Sequence, residues 1–166
     1  MATLRRAMPD QQLWLLRHGE AVPHESKDDF DRELTARGER QSIAAGEALA
    51  RLGVEFAACY SSPLTRAVGT AKLACRTLNV EPVEHAGIGK GFDVDLAREL
   101  LAAHDDGERI LVVGHNPAFE QVVADLTGAR TDFKKGGVAA VRVSGTRGEL
   151  LALLRPRELE SLALSG

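Results

Sequence analysis

Cysteine is scarce: Cys59 and Cys75 are the only two in 166 residues. They form no CxxC pair and no Cys/His spacing, which argues against a zinc site and leaves two reduced thiols serving as small core residues. An excess of one charge is missing as well. Twenty-one Lys and Arg against 24 Asp and Glu give a net charge of −3, so bulk electrostatics offer nothing to nucleic acid or a membrane, although a local basic pocket is compatible with that balance. No apolar h-region follows Arg5 and Arg6, because Asp10, Gln11 and Gln12 interrupt before Leu13, and the chain is expected to stay in the cytoplasm. The acidic residues lack Walker or EF-hand spacing, and Gly87-Ile88-Gly89-Lys90-Gly91 departs from the dinucleotide fingerprint. No metal or cofactor is therefore expected.

What is present suits one soluble domain. Apolar residues make up 44% and charged residues 27%, and a chain of this length buries roughly two thirds of the surface it exposes when unfolded. The sequence reads as a single domain over 1–166, with a loose leader over 1–11. Gln12 to Leu16 reads as a first strand, and a polar loop with Pro23, Asp28, Asp29 and Asp31 runs from Arg17 to about Thr35. Thr35 caps a helix running to about Leu52, with Ala45, Ala48, Leu49 and Leu52 on one face and Gly53 as its stop. Phe56 to Ser61 is a second strand. Ser62 then caps a helix starting at Pro63, whose buried stripe runs Leu64, Ala67, Val68, Ala71, Ala74, Cys75 and Leu78, with Arg66 off that stripe.

Pro82 to Glu84 makes a short strand, Gly87 to Gly91 a flexible loop, and Val94 to His104 a helix. Arg109 to Val113 is a strongly apolar strand leading into Gly114-His115-Asn116-Pro117, with Pro117 at the first helical position. The helix behind it carries Phe119, Val122, Val123 and Leu126 and stops at Gly128. Val138 to Val143 and Leu150 to Leu154, joined by a turn over Gly145 to Gly148, read as an antiparallel edge pair. Strands alternating with helices predict a three-layer α/β/α sandwich with a mostly parallel sheet and an antiparallel edge. Ligands collect at the carboxyl ends of such strands. There His18, the Ser61-Ser62-Pro63 turn leading to Arg66, and His115 all fall.

A phosphoryl group carries charge on three non-bridging oxygens, and moving it needs an in-line nucleophile and fixed positive charge around those oxygens. Arg17 and Arg66 each offer a bidentate fork, and protonated His115 a further donor. His18 has the chemistry of a nucleophile, since an ordinary imidazole is mostly neutral at cellular pH and its N–P bond yields to water. With two guanidiniums supplying charge, no metal is required.

The stretches Leu16-Arg17-His18-Gly19-Glu20-Ala21, Leu34-Thr35-Ala36-Arg37-Gly38, Ser61-Ser62-Pro63-Leu64-Thr65-Arg66-Ala67 and Gly114-His115-Asn116-Pro117 resemble the motifs of the histidine phosphatase (phosphoglycerate mutase-like) superfamily, closest to its small SixA-type phosphohistidine phosphatases. The resemblance implies that His18 is phosphorylated during turnover and that Arg17, Arg66 and His115 bind phosphate. It also implies the three-layer fold. One departure is Gly69, where many relatives carry glutamine. Another is the proton donor, which larger members take from an inserted segment. Here the candidates are Glu20, Glu84 and Asp93, each of which also reads as a solvated carboxylate.

About fifty residues separate Arg66 from His115, too few for a cap domain, so the pocket is expected to be open. An open pocket favours phosphohistidine on a protein. The alternatives are a phosphomonoesterase for a small metabolite and a catalytically weak phospho-ligand binding module. His24, His85 and His104 read as surface or packing residues, His104 continuing an apolar stripe. Lys90, Lys134 and Lys135 flank glycines, either as a solvated loop or as a rim attracting a phosphorylated or acidic partner.

Overall fold

Apolar residues along the central strands alternate between two helical layers, and this period of two builds the molecule. Leu13, Leu15, Ile110, Val112, Ala139 and Val141 face one side, where they meet Leu100, Leu101, Phe119, Val122 and Val123. Trp14, Leu16, Leu111, Val113, Val138 and Ala140 face the other, against Ala45, Leu49, Ala67, Ala71 and Leu159. The computed structural model describes residues 10–89 and 91–165. Its strands are β1 (Asp10–Arg17), β2 (Ala58–Ser61), β3 (Pro82–Glu84), β4 (Arg109–Gly114), β5 (Val138–Ser144) and β6 (Arg147–Leu154). Its helices are α1 (Ala36–Arg51), α2 (Thr65–Cys75), α3 (Ala86–Gly89), α4 (Val94–Ala102), α5 (Ala118–Thr127) and α6 (Pro156–Leu164).

The sheet runs β3-β2-β4-β1-β5-β6. Its first four strands are parallel, and β5 and β6 complete it in antiparallel fashion. Helices cover both faces, giving the expected α/β/α sandwich, and no cap domain is inserted among the described residues. The chain leaves β1 toward α1 on one face and leaves the adjacent β4 toward α5 on the other. That divergence opens a crevice at the carboxyl ends of β1 and β4, the usual ligand position in an open α/β sheet. Both candidate histidines follow these two strands.

The elements differ from the sequence reading in several places. Asp10 and Gln11 belong to β1 rather than to a leader, since Asp10 pairs with Ser144 and Gln11 with Val143; the rest of that leader lies outside the described residues. The polar loop contains a 3-10 turn, Asp29–Asp31, and an isolated bridge between Ala21 and Leu34. Strand β2 starts at Ala58, leaving Phe56 to meet Trp14 edge-on at 5.9 Å. Helix α2 starts at Thr65 rather than Pro63, because Leu64 is still extended with ψ 138°. Residues Ala86–Gly89 form a helical turn that buries Ile88, where a flexible loop is expected from the glycines. Pro117 sits at the cap of α5, not at its first position. Helix α4 ends at Ala102, short of His104.

Helix α6 lies beyond the sequence-derived elements altogether. Its signals are Pro156 at the first position, Glu158 reaching back to the Arg155 backbone, and Leu159 and Ala163 on the buried face. Thr35 does cap α1, accepting from Gly38 N at 3.1 Å. Gly128 ends α5 at φ 78°, a conformation that favours glycine. Cys59 and Cys75 are free and buried in one core layer.

Candidate active site

Short loops pin the first motif from several directions. His18 N donates to Gly114 O at 3.0 Å, and Gly136 N donates to His18 O at 3.0 Å. Gly19 N donates to Thr70 Oγ1 at 3.0 Å, while that hydroxyl donates to Arg66 O at 2.8 Å, tying β1 to the first turns of α2. The first turn of α1 presses against the same segment. A Cβ on Gly38 would lie 2.0 Å from Glu20 O, and one on Gly19 would lie 2.6 Å from Gly38 O. Only glycine permits this approach of two backbones. The motif around Gly38 therefore holds His18 in place from outside the pocket. A Cβ on Gly69, by contrast, would meet only a side chain, lying 3.2 Å from Leu34 Cδ1.

His18 and His115 lie with ring centroids 5.2 Å apart and planes at 56°. His18 Nδ1 is 2.7 Å from Gly19 O, and Arg66 Nε donates to His18 Nε2 at 3.3 Å. A guanidinium has no lone pair to accept with, so Nε2 is the acceptor and Nδ1 carries the hydrogen. This bonding pattern assigns a neutral imidazole with its lone pair on Nε2. Burial is the first cause pushing His18 from 6.5 to about 3; the Gly19 hydrogen bond opposes it, and His115, Arg66 and Arg17 add to it. His115 shares a 2.7 Å hydrogen bond through Nε2 with Ser62 Oγ. Burial and then Arg66 lower it to about 4, with Asp29 opposing.

Sequence reasoning places Arg66 off the buried stripe, yet it is only 7% exposed. Arg66 Nη1 donates to Asp29 O at 2.7 Å, and Nη2 lies 3.4 Å from Asp29 Oδ2. Arg17 donates from Nη1 to Phe133 O at 2.7 Å. Its field contributes to the depression of His18. Arg17 Nε and His115 Nδ1 are buried without a hydrogen-bond partner. The Nη atoms of Arg66 and Nη1 of Arg17 are thus engaged by Asp29 and by Phe133 O, and these two buried nitrogens are left unpaired.

Three participants were not singled out by the sequence. Asp29 comes from the polar loop, and nothing in that loop's periodicity points to Arg66. Thr70 is a polar position of α2 with no motif of its own. Ser62 does belong to a motif, but there it reads as a helix cap; its hydroxyl instead meets His115 and accepts from Leu64 N at 3.2 Å.

The candidate acids are scattered. Glu20 accepts from Thr35 Oγ1 at 3.0 Å and lies 3.7 Å from Arg37 Nη1. Asp93 caps α4 by accepting from Leu96 N at 2.9 Å. Glu84 is exposed at the end of the edge strand β3, beside Ser61 and Lys72. Of the three, Glu20 alone lines the groove that also contains Arg17. His24 is exposed, 3.6 Å from Asp29, and His85 accepts from Gly87 N. His104 is half-buried, 2.7 Å from the Tyr60 hydroxyl. Lys134 and Lys135 line the Arg17 groove, whereas Lys90 lies outside the described residues.

The family model described as histidine phosphatase superfamily (branch 1) matches residues 13–89. An uncharacterized protein of Picosynechococcus sp. is 30% identical over 164 residues, covering 89% of this chain and 98% of its own. Among solved structures, the protein histidine phosphatase SixA complexed with tungstate superposes with a TM-score of 0.79 at 24% identity, over 89% of this chain and 99% of that one. A phosphoserine phosphatase variant from Entamoeba histolytica, in complex with phosphoserine, gives 0.71 at 16% identity, over 90% and 99%. At these identities the two structures establish a shared fold. No helix among the described residues is long and apolar enough to cross a membrane.

Proposed function

The chain belongs to the histidine phosphatase superfamily and is a phosphatase, and from that premise we propose that it removes phosphate from phosphohistidine on a protein, through a phosphorylated His18 and without a metal. The observation that carries this reading is the lone pair of His18 Nε2, 3.3 Å from Arg66 Nε, on a ring whose Nδ1 is occupied by Gly19 O. A nucleophilic imidazole needs that tautomer and must stay unprotonated beside the cations that bind its target. Burial satisfies the second requirement.

In the proposed first step the Nε2 lone pair forms a bond to phosphorus as the phosphorus–nitrogen bond of the substrate breaks. The substrate imidazole, protonated before attack, leaves neutral. Arg17 and Arg66 offset the charge of the equatorial oxygens in the transition state, and His115, neutral because burial and Arg66 lower it to about 4, donates a hydrogen bond to them. Water then attacks phosphorus, the bond to His18 breaks, inorganic phosphate departs and a proton passes to solvent. Such a leaving group asks little of an enzyme acid, which fits a site where Asp93 serves as a helix cap and Glu84 faces solvent. An alkyl phosphate would depend more on Glu20.

The absence of a cap domain among the described residues also supports a bulky substrate. Initial rates on a phosphohistidine protein, a phosphohistidine peptide and a panel of sugar phosphates test the reading. The protein is expected to give the highest kcat/KM. A sugar phosphate turned over faster than both phosphohistidine substrates would replace this reading with the small-metabolite phosphomonoesterase.

A further inference from the structure

Beside Arg17 a groove of about 510 Å³ opens outward, lined by Arg17, Arg37, Lys134, Lys135, Arg155 and Arg157 together with Glu20, Gln41 and Pro156. These cations come from separate parts of the chain, and topology explains why they meet. Strand β6 runs parallel to β1 because each is antiparallel to β5. The end of β6, where Arg155 to Arg157 begin α6, therefore reaches the same sheet edge as His18. The segment before β5 brings Lys134 and Lys135 to that edge, and the first turn of α1 brings Arg37. Four carboxylates temper the six cations: Glu20 lies 3.7 Å from Arg37, Asp132 2.9 Å from Lys134, Glu158 2.9 Å from Arg155 and 3.4 Å from Arg157, and Glu120 acts on Arg17. Lys135 enters no ion pair among the described residues. A positive surplus remains, on a chain whose overall charge is −3.

Building on the phosphohistidine reading of the adjoining site, we infer that this groove docks an acidic segment of the protein that carries the phosphohistidine. The side chains around it are long and exposed: Arg37 is 67% exposed and Arg157 79%. Fixing such chains around a small ligand costs rotamer entropy, and each solvent-exposed pair returns little in exchange. Several weak contacts spread along an acidic polypeptide suit them better. They also accelerate encounter and orient the incoming phosphoryl group toward Arg17. Arg17, shared between groove and site, sets the register between the docked segment and His18.

Two phosphohistidine peptides with the same central residues test this, one flanked by glutamates and the other by serine and glycine. Their binding to His18→Ala protein is measured by fluorescence anisotropy, alongside turnover by the otherwise native enzyme. The glutamate peptide is expected to bind at least tenfold tighter at low salt. That preference should disappear in Lys135→Glu/Arg157→Glu protein, which still hydrolyses phosphoramidate at the native rate. Equal binding of the two peptides, with both hydrolysed, overturns the docking groove and leaves the phosphohistidine reading standing. If neither peptide is hydrolysed while sugar phosphates are, the phosphohistidine reading fails, and the inference resting on it fails with it. If a bisphosphorylated metabolite is the preferred substrate and loses that preference in the double variant, the groove holds a small polyanion and protein docking is refuted.

Discussion

Arg66 and Asp29 are joined twice, by a 2.7 Å hydrogen bond from Nη1 to the Asp29 carbonyl and a 3.4 Å contact between Nη2 and its carboxylate. Under the proposed function a phosphoryl group would have to compete with Asp29 for this guanidinium. Although desolvation works the other way, Arg66 and Arg32 hold the Asp29 carboxyl below its ordinary range. A charged competitor thus occupies Arg66 at neutral pH.

Asp29→Ala removes that competitor and a negative charge while leaving the backbone carbonyl in place. Inhibition by inorganic phosphate should strengthen about threefold to fivefold at low ionic strength, within the range of an exposed ion pair. Unchanged or weaker inhibition would show instead that Asp29 holds the arginine in its working orientation.

The depressed histidines set a pH dependence whose sign is fixed by their neutral folded forms. Below 6.5 an unfolded chain takes up protons that buried His18 refuses until about pH 3 and His115 until about pH 4. Stability is therefore flat above neutrality, falls as pH drops through 6.5, and continues to fall toward these lower values. For His18 the loss between pH 7 and pH 5 is about 2 kcal/mol, and His115, whose folded value also lies below that window, loses nearly as much. Nitrogen-15 NMR of the ring should show His18 neutral, with hydrogen on Nδ1, at pH 5.5. An imidazolium signal there would contradict this assignment.

Ser62 positions His115 rather than reacting. In Ser62→Ala the 2.7 Å hydrogen bond is lost, which at about 1 kcal/mol corresponds to roughly a fivefold drop in kcat. KM is expected to stay nearly constant, and Ser62→Thr should restore most of the rate. A change confined to KM, or to thermal stability, would assign Ser62 to structure alone.

The central strands were readable because Leu13 to Leu16 and Ile110 to Val113 are continuous apolar runs, as buried parallel strands must be, but such runs do not alternate and so did not show which residue faces which helical layer. Thr35 was readable through its capping chemistry. Arg66 was harder to place: the periodicity of α2 puts it outside the apolar stripe, but the 3-10 turn carrying Asp29 folds over it and buries it. Helical periodicity cannot register a loop arriving from another part of the chain. Ser62 was misassigned for a related reason, since its hydroxyl serves a histidine 53 residues away. Helix α6 carried local signals in Pro156, Glu158 and Leu159, which sequence reading could have used.

The most direct test is to trap the covalent intermediate. Protein mixed with a phosphohistidine substrate, quenched within milliseconds in alkali and digested, should yield a base-stable, acid-labile phosphoryl group on the peptide containing His18, and none in His18→Ala. Phosphate found on His115, or full turnover by His18→Ala with no labelled peptide, would contradict nucleophilic attack by His18.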